Sequence, residues 1–174
     1  MTFKAKYLVT LIIPFLWAFS TESVEYKVKL AFIEKFTHYI EWPSPRPNSA
    51  EFVIGIYGAD HFSEYISDYA SNTLFNGKPL KIISMKTAVD IDKKMNVIFL
   101  GKDKKWAMDS IIQRAKLNSC LTMSEITGAA KKGMMVNFIE IDNSIKFEIN
   151  NKVMKQSGFK VSSHLLKLAK IVEP

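Results

Sequence analysis

The residues best suited to chemistry are three histidines, one cysteine and the cluster Ser162-Ser163-His164. Metal binding is the first chemistry to test. His38, His61 and His164 lie far apart, and none has a second histidine one helical turn away. A closed zinc site needs four nitrogen or sulfur ligands, and Cys120 has no cysteine partner to help supply them. Nucleophilic catalysis is next. No Gly-x-Ser-x-Gly elbow occurs. Ser163 and His164 are neighbours in sequence, and neighbours on a helix do not face one another, so proton transfer between them is poorly arranged. Ser162 or Ser163 instead suits a helix cap. Asp142 and Glu148 lack the partner carboxylate at a defined distance that glycoside hydrolysis requires. Gly55 and Gly58 follow an apolar run, but no third glycine completes a dinucleotide fingerprint. The chain therefore reads as no enzyme, with no metal and no cofactor.

The elements that would position these residues come from periodicity. Val24, Val28, Phe32, Phe36, Tyr39 and Ile40 recur at helical spacing. Pro43 disfavours helix at Trp42, so that helix is predicted to stop near Glu41. Pro43, Pro45 and Pro47 predict a stiff loop. Phe52–Tyr57 and Val97–Gly101 are short continuous apolar runs, the pattern of strands buried on both faces. Between them a helix opens after Gly58 with Phe62, Tyr65, Ile66 and Tyr69, and a strand covers Leu80–Ser84. A helix from about Lys104 to Lys116 is predicted, with Trp106, Ile111, Ile112 and Ala115 as its apolar residues. A short strand follows at Cys120–Met123. Met134–Ile141 and Ile145–Ile149 then flank Asp142-Asn143-Ser144 as a hairpin. Asn150 or Asn151 caps a short helix ended by Gly158, and a last helix carries Leu165, Leu166, Leu168 and Ala169. Strand alternating with helix predicts an α/β three-layer sandwich: a mixed, mostly parallel sheet, helices on both faces, and a C-terminal hairpin.

Composition sets the outer bounds. With 174 residues the chain fits one domain. Its 12 Phe, 6 Tyr and 3 Trp supply core material that a disordered chain lacks. Lys4 and Lys6, the apolar stretch Tyr7–Phe19 and the small residues Ala18 and Ser20 together describe a secretory signal peptide over residues 1–20. The apolar stretch is shorter than the roughly 20 residues that span a bilayer. Residues 21–174 are then the single mature domain. The net charge of +7 drops by two without that peptide. What remains is scattered as Lys93-Lys94, Lys104-Lys105 and Lys131-Lys132, without the single basic face that nucleic acid demands. Cys120 sits in an apolar stretch, where a buried inert thiol and an intermolecular bridge are both open. Trp42 is either core or a partly exposed interface anchor.

Four segments resemble the YfiR family of periplasmic regulators. They are Val28–Phe36 running into Ile40-Glu41-Trp42-Pro43; Phe52–Gly58; Gly133-Met134-Met135-Val136 with Phe147-Glu148-Ile149-Asn150; and Gly158–Ala169. Their order and spacing, after a signal peptide, cover about Val24 to Val172. The resemblance implies a periplasmic protein that binds the periplasmic part of an inner-membrane diguanylate cyclase of YfiN type and holds it inactive. Cyclic di-GMP and biofilm formation would fall. It also implies a mixed sheet with helices on both sides, and a homodimer. Two departures stand out. Cysteine pairs frequent in such proteins are missing, since Met95-Asn96 stands where one often precedes the apolar strand and Cys120 has no mate. A glycine pair is here Lys132-Gly133. The residues expected to form the partner or ligand surface are Phe32, Phe36, Tyr39 and Trp42, together with Glu148, Asn150, Ser162, Ser163 and His164. The competing expectation is a periplasmic small-ligand sensor serving a histidine kinase or a transport system, which needs a concave pocket with convergent polar groups.

Overall fold

The computed structural model describes residues 19–44, 49–70 and 73–173, with side chains from Val24 onward. The predicted signal peptide lies outside the described residues up to Trp17-Ala18, as does the Pro45–Asn48 part of the proline loop. Helix α1 (Phe19–Tyr39) runs into the two-residue strand β1 (Ile40–Glu41), one turn before Pro43 forbids more helix. Strand β2 (Phe52–Tyr57), helix α2 (Asp60–Ala70), strand β3 (Leu74–Phe75) and strand β4 (Lys78–Ser84) follow. Strand β5 (Met95–Leu100) leads through a 3-10 turn, Lys102–Ala107, into helix α3 (Met108–Asn118) and strand β6 (Leu121–Ser124). Strands β7 (Val136–Ile141) and β8 (Ser144–Ile149) form the predicted hairpin. Asp142 and Asn143 both have positive φ, as a two-residue hairpin turn that matches strand twist requires. Helix α4 (Asn151–Gln156), strand β9 (Lys160–Val161), helix α5 (Ser163–Leu168) and strand β10 (Lys170–Ile171) complete the chain.

The main sheet has eight strands in the order β10-β8-β7-β6-β5-β2-β4-β3. Neighbours from β4 to β7 are parallel, β8 returns antiparallel on β7, and β10 lies parallel on β8. Two apolar layers flank it. Leu30, Ile33, Phe36, Phe62 and Ile66 of α1 and α2 pack on Ile54, Ile56 and Phe99. On the other face Met108, Ile111 and Ala115 of α3 pack with Val53, Ile98 and Leu100. The alternation along β2 and β5 feeds both layers, which is why those strands read as unbroken apolar runs. Each large side chain so buried contributes about 1.5–3 kcal/mol relative to exposure. This is the expected three-layer α/β arrangement.

Two faces differ from expectation. On α1 the buried residues are Lys29, Leu30, Ile33, Phe36 and Thr37, while Val24 is 56 % exposed. The apolar stripe counted from Val24 meets the core only in part: Phe36 is buried, Phe32 and Tyr39 are half-buried against it, and Lys29 and Thr37 share the core face. Trp106 is exposed. The predicted continuous helix is broken: the stretch before Met108 is a 3-10 turn, with Lys104 at φ −111 and ψ 25. The change from 3.0 to 3.6 residues per turn rotates Trp106 out of the α3 stripe.

Candidate functional site

The chain leaves β2 for β4 on one side and reaches β5 on the other, so the sheet has a switch point between β2 and β5. Open α/β sheets bind ligands in the crevice outside the carboxyl ends of strands at such a point. Here the chain fills its own crevice. The Asp103 carboxylate accepts the Ala59 N–H at 2.9 Å. A Cβ on Gly58 would stand 2.3 Å from Asp103 Oδ1, so only glycine lets the two loops approach. Burial pushes the Asp103 carboxyl up, but the Ala59 amide and Lys104 outweigh it and hold it below the usual carboxylate value.

Farther along the same edge lies an open cavity of about 440 Å³. Its floor is the carboxyl end of β5 and β6, where Lys102 and Glu125 follow the strands. Its roof is the β7–β8 hairpin. β6 pairs with β7 only at Met123–Val136 and Ser124–Asn137, so Phe138–Ile141 overhang it. Its side is α1, which contributes Glu25 and Lys29. Lys29 is 3 % exposed and bonds both Glu25, one turn back, and Glu125, 96 residues on. Its ammonium also stands 5.9 Å from the Tyr26 ring centroid, within cation–π reach. Across the cavity, Glu148 is 8 % exposed. It accepts from Lys170 Nζ at 3.1 Å and from Asn137 Nδ2 at 3.4 Å. Asn137 is fully buried, and its Oδ1 has no hydrogen-bond partner among the described residues. Both signs of charge therefore converge beside the apolar walls of Phe138, Ile141 and Ile145. The arrangement suits noncovalent binding of a small polar body. No serine or cysteine lines it, and among the described residues no cluster of histidine, cysteine and carboxylate could hold a metal.

The sequence-derived residues divide among three places. Phe36 is buried, its ring 4.9 Å from Phe147, and half-buried Phe32 stacks on Phe36 and meets Phe147 edge-on. Trp42 is half-buried between Phe52 and Phe159, and its Nε1–H donates to Asn96 O at 3.2 Å. Asn150 is buried and caps α4: its Oδ1 accepts the Val153 N–H at 3.0 Å and its Nδ2 donates to Ala130 O at 2.7 Å. The second place is a surface corner. β1 pairs antiparallel with β9, and the Ser162 N–H donates to Tyr39 O at 2.9 Å. Ser162 caps α5 through Leu165 N–H, Ser163 and His164 are exposed, and the His164 ring lies 5.3 Å from Tyr39. Only Glu148 belongs to the cavity. Its companions Lys29, Glu125 and Lys170 escaped the sequence reading. Periodicity gave no signal for them, since Lys29 counts as polar, and its burial is explained only by its pairing, as a lysine is almost never buried otherwise. Cys120 is a buried thiol, with Sγ 3.2 Å from Met95 O.

Comparison with known proteins gives three findings. A family model described as YfiR/HmsC-like matches residues 26–170. No curated protein matches the chain. Among solved structures, a conserved domain protein of Vibrio cholerae O1 biovar El Tor aligns with TM-score 0.61 at 13 % identity, covering 86 % of this chain and 60 % of that one. The ABC domain from Streptococcus pneumoniae, in complex with L-Trp, aligns with TM-score 0.53 at 12 % identity, covering 70 % of this chain and 55 % of that one. The chain thus spans less than two thirds of either neighbour, and at such identities the likeness is one of fold.

Proposed function

Since the chain belongs to the YfiR/HmsC-like family, we propose that it is a periplasmic regulator that binds an inner-membrane diguanylate cyclase and holds it inactive. The family is regulatory rather than catalytic. The observation that carries the reading is the family match across residues 26–170, nearly the whole described chain. The site agrees with it in kind, offering exposed surfaces and a charged cavity. No helix among the described residues is long and apolar enough to cross a membrane.

Physically, the regulation is a population shift. The regulator must bind the inactive cyclase better than the active one, and a tenfold preference corresponds to about 1.4 kcal/mol. The contact surface we propose is the exposed corner of Tyr39, Ser162, Ser163 and His164, continuing toward the cavity at Glu148. Phe32, Phe36, Trp42 and Asn150 pack in the core or cap α4, so the proposed contact does not draw on them directly. A second copy of the chain is a further partner in this proposal.

The cavity favours a second reading, a small-ligand sensor serving a histidine kinase or a transport system. Glu148 and Lys29 would meet opposite charges of a ligand there, and the hairpin would cover its apolar part. One experiment separates the two. Deleting the gene should raise cellular cyclic di-GMP, and affinity purification from native envelopes should recover a membrane cyclase. Unchanged cyclic di-GMP together with recovery of a sensor kinase or transport component would replace the first reading by the second.

A further inference from the structure

The surface outside the carboxyl end of β5 carries the most exposed large apolar side chain described. Trp106 is 77 % exposed, touching the protein edge-on at Tyr57 with ring centroids 6.1 Å apart. Lys105 and Lys132 line one hollow with it. Lys102, Lys104 and Lys131 flank these two in the chain, and all but the half-buried Lys104 are exposed. The nearby carboxylates are Asp60, Asp103 and Asp109, and Asp103 is already engaged by the Ala59 amide and by Lys104 Nζ at 3.1 Å. Positive charge therefore prevails around a bare indole.

This combination distinguishes between kinds of partner. Protein interfaces concentrate tryptophan but deplete lysine, because a buried ammonium must lose its water. A bilayer surface favours both together. The indole sits at headgroup level with one end apolar and one wet, while long lysine side chains reach the phosphates. We propose that this face of the molecule docks on an anionic lipid surface, with Trp106 seated among the headgroups and Lys105, Lys131 and Lys132 on the phosphates. Docking here would leave the corner of Tyr39 and His164, which other elements build, available to a partner beside the membrane.

The test uses the exported protein and vesicles of phosphatidylcholine, either pure or with about one third phosphatidylglycerol. Co-sedimentation should occur with the anionic vesicles and not with the neutral ones, and it should weaken as salt rises. Tryptophan emission should shift to the blue on binding and lose that shift in Trp106→Ala. Removing one lysine near the surface should weaken partitioning about fivefold, so replacing Lys131 and Lys132 together by Ala should weaken it about 25-fold. That pair lies on a separate turn from Trp106 and keeps the test valid if Trp106→Ala folds poorly. Equal binding to both vesicle types, no binding to either, or wild-type partitioning by the lysine variant would overturn the proposal. No cyclase is present in this assay, so its outcome is independent of the proposed regulation.

Discussion

At the scale of residues, Asp103 illustrates how one carboxylate replaces a ligand. It occupies the crevice that the fold reserves, accepts an amide ahead of α2, and lets Ala59 hold a φ of 54. Its carboxyl is held low in the folded chain, so its charged form adds stability above the unfolded value of about 3.9 and loses it as pH falls through the folded value. Asp103→Asn keeps an acceptor but not the charge. The variant should therefore melt below the wild type near neutral pH and converge with it in strong acid. The gap should stay under about 1 kcal/mol, because the side chain is about half exposed and screened. Thermal melts from neutral to acid pH measure this, and a gap that widens on acidification would refute it. Lys29 was the residue least legible from sequence. Its charge counts as polar in any periodicity, yet the core face of α1 includes it because Glu25 and Glu125 satisfy it.

At the scale of elements, the strands were legible and the helix faces less so. Phe52–Tyr57 and the β5 run were identifiable because burial on both faces leaves no polar alternation to confuse. Two-residue strands such as β1 and β9 have no local signature, since pairing across the chain creates them. Helix ends were read well where a cap does the work. Asn150 and Ser162 each accept an amide three residues on, and Gly158 turns the chain after α4 with φ 82. Gly158 also faces Pro43, whose Cβ would stand 2.9 Å from any added Cβ. Gly158→Ala should therefore cost about 1–2 kcal/mol, from left-handed strain and crowding together. For a chain of this size that corresponds to about 3–6 °C in Tm. A calorimetric scan showing no loss would mean the turn relaxes.

At the scale of the whole molecule, the sheet is closed on one side by the C-terminal strand. β10 lies on β8 through the Val172 N–H to Ile149 O bond at 3.0 Å and the Lys170–Glu148 pair. Ending the chain after Ala169 would leave Glu148 without its cation and expose the β8 edge. Such a buried carboxylate left unpaired, with the lost ladder, should cost at least about 2 kcal/mol. The uncovered edge should also make the protein associate as concentration rises. Chemical denaturation and light scattering report the two effects. A truncated chain as stable and as dispersed as the full one would show that β10 only rests on the sheet.

Sequence alone determined the order of the longer strands and helices and the α/β class, because these follow from local periodicity, turn chemistry and spacing. It also carried the family resemblance that the family match bears out. Tertiary structure decided which side chains meet. Glu125 reaches Lys29 and Lys170 reaches Glu148 through strand order and register, and the broken helix before Met108 decides that Trp106 faces solvent while Trp42 packs. Local pattern fixes how each segment folds, whereas contacts between distant segments depend on crossovers and register that no short window of residues encodes.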